Sequence, residues 1–215
     1  RKMPDNFLDL TISSPPYNVD IAYDTHKDTM DWKKYDDWMY SVLLELYFKT
    51  KVGGRVAWNI PSFSSRQNLY ERFLKLFKMA GFQQYNEIIW NKNQISARTA
   101  WGSWMSASQP NILPSHEYIL VFYKDTKHHG KGISDISKEE FIDWTNGMWS
   151  FNPETKSKHP APFPVELPKR LIKFYSFVGD IIYDPFSGSG TTCLAATEFH
   201  RKFIGSDISK DYCNL

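Results

Sequence analysis

Two stretches of the chain carry residue types that could do chemistry, and one of them is a glycine-rich turn. Asp184-Pro-Phe-Ser-Gly-Ser-Gly-Thr-Thr192 follows a predicted strand and opens a predicted helix. Gly188 and Gly190 would let the backbone approach a ligand closely, and the free amides at the helix start would favour an anionic group. Asp207 stands at the end of the next predicted strand, nineteen residues after Gly188, where a carboxylate can accept hydrogen bonds from ribose hydroxyls.

Two common phosphate-binding patterns do not fit this turn. A phosphate-cradling P-loop needs Lys after its last glycine, whereas Thr191 follows Gly190. The dinucleotide fingerprint GxGxxG is incomplete, because Cys193 stands where its third glycine or alanine would be. An ordinary strand-to-helix turn is the other interpretation, but Asp184, the glycines and Asp207 together favour a ligand site.

The second stretch is Ser14-Pro15-Pro16-Tyr17, which directly follows a short, apolar, β-branched segment. Two consecutive prolines cannot continue a ladder, so a strand ends here and a rigid loop begins. The Ser14 hydroxyl and the Pro15 carbonyl could then point together at one amino group, beside the flat face of Tyr17. Two acceptors next to an aromatic ring suit the exocyclic NH2 of a nucleobase. A plain strand-terminating loop is the alternative.

The elements that must position these stretches alternate between strand and helix. The patterns predict strands over 7–13, 55–60, 84–90, 118–123, 180–183 and 202–206, and helices over 31–50, 66–80, 164–178 and 191–199. Gly53-Gly54 are expected to punctuate between the first helix and the second strand. The alternation predicts an α/β fold with a doubly wound, mostly parallel, Rossmann-like sheet. Two Trp-rich stretches, 91–117 and 125–162, show little periodicity, and connections of this length are usually functional or disordered.

Composition excludes several classes of protein. The chain has 215 residues, 41% of them hydrophobic and 23% charged, which is typical of a globular domain and not of a disordered or fibrous chain. No apolar run approaches the roughly 20 residues of a membrane span. Two cysteines, Cys193 and Cys213, favour a reducing cytosol. A net charge of +2 means that a nucleic-acid partner would be met by a local basic face, and eight Trp suit a protein that stacks on flat ligands.

Taken together, the two stretches resemble the motifs of the S-adenosylmethionine-dependent DNA amino-methyltransferases. That family carries a (D/N/S)PP(Y/F/W) loop and a DPFxGSGTT-type cofactor turn. Here the loop comes first, at 14–17, and the turn last, at 184–192, which is the family's β arrangement. Lys158-His-Pro-Ala-Pro-Phe-Pro164 resembles the cofactor-flanking motif. The resemblance divides the chain into a catalytic half (1–90), an irregular target-recognition region with a sheet strand near 118–123 (91–157), and a cofactor-binding half (158–215).

The resemblance also implies a role for individual residues, with S-adenosyl-L-methionine as cofactor and no metal. The catalytic loop would be Ser14, Pro15, Pro16 and Tyr17. The cofactor would be lined by the turn and ribose residues Asp184, Phe186, Gly188, Gly190, Thr191, Thr192 and Asp207, and closed over by His159, Pro160, Ala161 and Phe163. Asp207 is a departure, since many relatives have Glu there.

Contacts with DNA are expected from two clusters. A candidate DNA-contacting loop contains Arg98, Trp101 and Trp104. An aromatic mini-core under a long loop is an equally favoured interpretation of these residues. Lys124 and Lys127 belong to a mildly basic cluster that could meet phosphates, although a solvated loop is the commoner meaning of such a cluster.

The resemblance implies methylation of the cytosine N4 amine in a base rotated out of double-stranded DNA. The alternatives are an adenine-N6 enzyme of the same arrangement, an RNA amino-methyltransferase, or a catalytically silent binding module. A ring-carbon methyltransferase is disfavoured because neither cysteine follows a proline, and a zinc deaminase because PCxxC is missing. We expect a prokaryotic cytoplasmic protein, associated with the nucleoid through DNA, with a possible homodimer and a possible cognate restriction endonuclease.

Overall fold

The computed structural model describes residues 3–18, 28–62, 68–93, 102–110, 112, 115–154 and 163–213. The strands are β1 (Leu8–Ser13), β2 (Thr50–Pro61), β3 (Gln83–Asn91), β4 (His116–Tyr123), β5 (Met148–Ser150), β6 (Ile181–Asp184) and β7 (Lys202–Gly205). The helices are α1 (Trp32–Lys49), α2 (Leu69–Ala80), α3 (Lys138–Trp144), α4 (Glu166–Tyr175), α5 (Thr191–Glu198) and α6 (Lys210–Cys213).

The strands form one sheet in the order β5-β3-β4-β2-β1-β6-β7. β4 runs antiparallel to both of its neighbours, β2 and β3, and the other adjacent pairs are parallel. The predicted α/β fold with a mostly parallel sheet is therefore confirmed. Because β4 is reversed, its first residues lie at the same edge of the sheet as the last residues of β1, β2, β3 and β6. We call this edge the carboxyl edge.

Helices cover both faces of the sheet. α1 and α2 pack on one face, where Leu8 and Trp58 join Phe73 and Phe77 in a buried cluster. α4 and α5 pack on the other face, toward which Leu10 of β1 points. Leu8 and Leu10 would share a face of a regular strand, but the register shift between them in the β1–β2 ladder turns them toward opposite faces. No helix among the described ranges is long and apolar enough to cross a membrane.

The structure differs from the sequence prediction in two places. β2 begins at Thr50 and continues through Gly53-Gly54, because Gly53, with φ of +78°, forms an irregularity in the ladder with β1 instead of ending an element. The stretch predicted to be irregular over 125–162 contains α3 and β5. A capping box, in which the side chains of Ser137 and Glu140 bind each other's backbone amides, marks the start of α3 and was a readable signal.

Candidate functional site

The 14–17 loop and the 184–192 turn begin side by side at the carboxyl edge. β1 and β6 are adjacent parallel strands, with Thr11 opposite Tyr183. Just beyond that pair, the Ser13 hydroxyl donates a hydrogen bond of 2.6 Å to Oδ1 of Asp184. Residues 171 positions apart in sequence therefore join the two predicted motifs directly. Ser13 was not among the predicted site residues.

Asp184 is the buried joint between the two motifs. Its carboxylate is 1% exposed and accepts hydrogen bonds from the Phe186 amide at 3.1 Å and the Thr192 hydroxyl at 2.7 Å, besides that from Ser13. Burial raises the pKa of Asp184 from 3.8 to about 6, although the Ser13 and Thr192 hydroxyls oppose the rise. The Asp184 and Thr192 side chains are both 1% exposed and hold the shape of the turn from within, so the prediction that this turn lines a cofactor applies to its exposed backbone.

The upper side of the turn is shaped to receive a ligand. Gly188 and Gly190 have φ of +48° and +82°, a left-handed conformation that favours glycine. A Cβ atom at Gly190 would meet no atom of the described residues within 4 Å, so among these residues the backbone there faces open space. The first amides of α5, which begins at Thr191, are the groups that a helix leaves for capping partners or ligands. Donors and space together fit the anionic end of an amino-acid-like ligand.

Asp207 ties the next strand to this turn. Its Oδ2 accepts a hydrogen bond from the Gly188 amide and its Oδ1 one from the Ser209 amide, both at 2.9 Å. The side chain is partly exposed, and each carboxylate oxygen can accept more than one hydrogen bond. Asp207 therefore holds the turn with a carboxylate that is partly open to solvent.

Phe186 and Phe163, two other predicted cofactor residues, are partly buried. Phe186 packs edge-on against Trp38 and Trp58, and Phe163 packs against the cluster under α4 and α5. His159, Pro160 and Ala161 lie outside the described residues.

The 14–17 loop is held by its own hydroxyls. The Ser14 Oγ lies 2.5 Å from the Tyr17 hydroxyl oxygen. The Tyr17 hydroxyl in turn donates to the backbone carbonyl of Asn59 at 3.3 Å. When Tyr17 donates to Asn59, Ser14 is the donor in their shared hydrogen bond, and its lone pairs stay free to accept. From α1, the Tyr35 hydroxyl donates to the Pro16 carbonyl at 2.7 Å.

A second network, which the sequence did not indicate, continues from Tyr17 toward the region before β4. The Asn59 side-chain amide donates to the Tyr17 hydroxyl at 3.2 Å and to Glu117 Oε2 at 2.6 Å. The other oxygen of Glu117 pairs with Lys92. These residues come from β2, β4 and the end of β3, and only the reversed register of β4, in which Glu117 faces Pro61, brings them together.

Asn18 closes the loop on its other side. Its backbone amide donates to the Asp28 carboxylate at 2.7 Å. Its side chain exchanges two hydrogen bonds with the backbone of Met30, at 2.5 and 2.8 Å. Asn18 has φ of +59°, a conformation that Asn tolerates better than most residues. An Asn directly after the loop was the sequence signal for this clamp.

The predicted DNA contacts separate into different places. Lys124 is 6% exposed and donates to Asn6, Tyr47 and Thr50, each at 2.9 Å. The prediction that Lys124 meets phosphates is therefore wrong. Lys127 is exposed but follows the end of β4, at the sheet edge opposite the 14–17 loop.

Trp104 is 73% exposed, so the alternative of an aromatic mini-core does not apply to it. Arg98 and Trp101 lie outside the described residues.

A cluster of possible metal ligands also lies at that opposite edge. Donor atoms of Asp9, His129 and Asp180 lie within 4.8 Å of one another. Asp9 is paired with the Lys51 ammonium at 2.7 Å, and His129 Nε2 faces Asp180 at 3.0 Å. A lysine ammonium beside the carboxylates opposes a second cation, so we treat the cluster as an ion-pair network.

Comparison with known proteins identifies the family of this chain. A family model described as DNA methylase matches residues 8–215. The chain belongs to the DNA methylase family. The type II methyltransferase M.MjaVI of Methanocaldococcus jannaschii is 43% identical over 160 residues, which cover 73% of this methylase and 82% of that relative.

Solved structures agree with the assignment. TTHA0409 of Thermus thermophilus, assigned as a DNA modification methylase, matches with a TM-score of 0.78 and 28% identity, over 99% of this methylase and 85% of that chain. The same protein was solved in complex with S-adenosyl-L-methionine, and that structure matches with a TM-score of 0.76 and 26% identity, over 99% and 86% of the two chains. The cytosine-N4-specific PvuII DNA methyltransferase matches with a TM-score of 0.73 over 98% and 78% of the chains, but at 20% identity it shows the fold alone. This methylase is thus a DNA-modifying methyltransferase that uses S-adenosyl-L-methionine.

Proposed function

We propose that this methylase transfers a methyl group from S-adenosyl-L-methionine to the exocyclic N4 amine of cytosine in a base rotated out of DNA. The observation that carries the proposal is the hydrogen bond between Ser14 and Tyr17, at 2.5 Å. An amine must donate its hydrogens to acceptors, and a serine hydroxyl accepts freely only when its own proton is directed elsewhere. When Tyr17 donates to the Asn59 backbone carbonyl, its oxygen accepts the hydrogen bond from Ser14, and the Ser14 oxygen is then the acceptor for the amine.

The 14–17 loop then prepares the amine for methylation. Ser14 and the Pro15 carbonyl accept the two N–H bonds and draw the nitrogen toward tetrahedral geometry, which frees the lone pair otherwise conjugated into the ring. The cofactor, when bound, supplies an activated methyl group on its sulfonium. A nitrogen–carbon bond forms as the sulfur–carbon bond breaks, and the amine loses a proton to solvent. Position and electrostatics supply the rate.

The 184–192 turn and Asp207 are proposed to hold the cofactor. The amides of the first turn of α5 would bind its carboxylate and Asp207 its ribose. The hydrogen bond from Ser13 to Asp184 fixes the distance between this turn and the 14–17 loop, so that bound cofactor and bound base meet above the carboxyl edge.

Cytosine is preferred over adenine because of the residue at position 14. Adenine-directed relatives usually carry Asp or Asn there and cytosine-directed ones Ser, so this choice rests on the resemblance. An adenine-N6 enzyme is the second candidate. An RNA enzyme and a silent binding module are disfavoured, because both motifs are intact and stand in the order typical of the DNA enzymes.

The remaining parts of the proposal concern organisation and partners. Residues 1–90 and 158–215 would form the catalytic and cofactor-binding halves, and 91–157 the target-recognition region, although β4 and β5 of that region belong to the common sheet. Double-stranded DNA in a prokaryotic cytoplasm would be the substrate. Sedimentation tests for a homodimer, and protection of methylated DNA tests for a matching restriction endonuclease.

Digestion of methylated DNA to nucleosides, followed by mass spectrometry, tests the proposed base. We expect N4-methylcytosine. N6-methyladenine without N4-methylcytosine would overturn the choice of base, and no methylated nucleoside with DNA or with RNA would overturn the proposed reaction.

A further inference from the structure

A short hairpin over 102–110 stands out in the region between β3 and β4. Gly102 and Pro110 form an antiparallel bridge, and the Ser103 amide donates to the Gln109 carbonyl at 3.0 Å. The Ser103 hydroxyl receives a hydrogen bond from the Gln109 amide at 3.0 Å and donates to the Ser106 carbonyl at 2.6 Å. Hydrogen bonds within the hairpin therefore hold its shape.

The tip of this hairpin is apolar and faces outward. Trp104 and Met105 are 73% and 89% exposed, and the nearby Ile112 is 91% exposed. Met105 also has φ of +49°, an uncommon conformation for a residue other than glycine. Single exposed apolar residues are ordinary, but a large aromatic and a thioether adjacent on one hairpin tip are typical of a binding surface.

The hairpin arises at the edge of the sheet that carries the 14–17 loop. It lies between the last residue of β3, Asn91, and the first residue of β4, His116, which face each other in the ladder. In β4, Glu117 faces Pro61 of the neighbouring strand β2, and Trp58 of β2 faces Ser13 of β1. The hairpin and the 14–17 loop therefore both extend from the carboxyl edge of the sheet.

The charge of the surrounding sequence favours a nucleic-acid partner over an acidic or neutral one. No Asp or Glu occurs between Glu87 and Glu117, although acids make up about a ninth of the chain, and the same stretch contains Lys92 and Arg98. A surface without carboxylates can approach a phosphate backbone without repulsion.

We propose that Trp104 and Met105 form a wedge that enters the base stack of DNA beside the target base and fills the space left when that base rotates out. Apolar side chains at the tips of DNA-binding elements insert between base steps in this way, and aromatic rings stack on bases. The inference rests on the proposed function, since only an enzyme that extracts a base leaves such a space. It assigns the 102–110 hairpin to extraction of the base, separate from the methyl transfer at Ser14.

The test compares Trp104→Ala and Met105→Ala with the unchanged methylase on two duplexes that contain its mapped methylation site. One duplex is fully paired, and the other carries a mismatch opposite the target base, which makes extraction easier. We expect Trp104→Ala to weaken binding to the paired duplex by about tenfold and to lower the fluorescence of 2-aminopurine placed at the target. On the mismatched duplex the loss should shrink to about twofold or less, because less of the binding energy is needed for extraction.

The matched control is Ile133→Ala, which removes an equally exposed apolar side chain, 72% exposed, from the opposite edge of the sheet. Equal losses on the two duplexes, a loss no larger than that of Ile133→Ala, or a change of sedimentation without a change of DNA affinity would each overturn the wedge. Failure of the proposed function is distinguishable, because the unchanged methylase would then produce no methylated base on either duplex.

Discussion

The 14–17 loop is anchored on two sides, and the two anchors are built differently. On the cofactor side, Ser13 donates to a fully buried carboxylate, Asp184, which also holds the 184–192 turn. On the target side, Tyr17 leads through Asn59 to Glu117, whose partner Lys92 lies at the start of the predicted recognition region. The first anchor is a single buried charge, and the second is a chain of polar side chains that ends in a partly exposed ion pair.

The difference suggests which parts are rigid before any ligand binds. A buried carboxylate that accepts three hydrogen bonds has a fixed geometry, because leaving any of them unmade is costly. An ion pair near solvent contributes little and rearranges easily. We infer that the cofactor side is preformed, whereas the target side can adjust when DNA meets the recognition region.

The largest effect on turnover is expected when Ser14, the residue that both anchors position, is replaced. Ser14→Ala removes one acceptor from the amine, and its loss should lower turnover by about 100- to 1000-fold, as for a lost transition-state hydrogen bond at other active sites. Affinity for cofactor and for DNA should change little. Turnover, calorimetry and DNA binding measured on the same preparation check this.

The matched control is Ser41→Ala, a serine on the exposed face of α1 that donates to the Asp37 carbonyl. It should behave like the unchanged methylase. Wild-type turnover in Ser14→Ala would show that the loop is structural and would remove the basis for the comparison of its anchors.

The cofactor-side anchor predicts a pH-dependent stability. Burial raises the pKa of Asp184 to about 6, above its value in the unfolded chain, so the folded state binds the proton more tightly. The tighter binding of this proton stabilises the folded state fully below the unfolded pKa of 3.8, and the stabilisation is lost as the pH rises through about 6. Asp184→Asn lacks the titration and keeps a similar shape.

The free energy of unfolding of Asp184→Asn, relative to the unchanged methylase, should therefore rise by about 3 kcal/mol between about pH 3.5 and pH 7. Urea denaturation across this range measures it, with Asp37→Asn on the exposed face of α1 as control. A difference that is independent of pH would mean that the carboxylate is not held as the buried anchor.

The same contrast explains how much the sequence could predict. The 184–192 turn is contiguous, and its glycines and flanking acids form a local pattern, so the sequence alone could predict a ligand site there. The helices and strands around it followed from periodicity. Ser13 was missed because its partner is 171 residues away, and Asn59 and Glu117 because only the antiparallel register of β4 brings them to Tyr17. Lys124 was misassigned because a basic residue in a polar stretch does not reveal that its ammonium is buried.

A smaller effect is expected at Asp207, which tests whether the cofactor side is preformed. Asp207→Ala should weaken binding of S-adenosyl-L-methionine by about 1.5–3 kcal/mol, since it removes the proposed ribose acceptor and the acceptor of the Gly188 amide. Asp207→Asn keeps one acceptor oxygen and should lose less. Calorimetry measures both, with thermal melting to show that the fold persists, and unchanged affinity in Asp207→Ala would mean that the ribose is held elsewhere.

The smallest effect on turnover is expected when Glu117 is replaced. Glu117 variants test whether the target-side anchor contributes to turnover. Glu117→Gln keeps an oxygen for the Asn59 amide but loses the charge that pairs with Lys92, so turnover should fall only about two- to fivefold, as for a partly exposed ion pair. Glu117→Leu leaves the buried Asn59 amide without this acceptor and should cost about tenfold or more, with the affinity for S-adenosyl-L-methionine unchanged in both. Single-turnover kinetics on DNA and calorimetry on the cofactor separate the two sides. If Glu117→Leu turns over like Glu117→Gln, Tyr17 is oriented without the Asn59–Glu117 chain, and the 14–17 loop depends on its cofactor-side anchor alone.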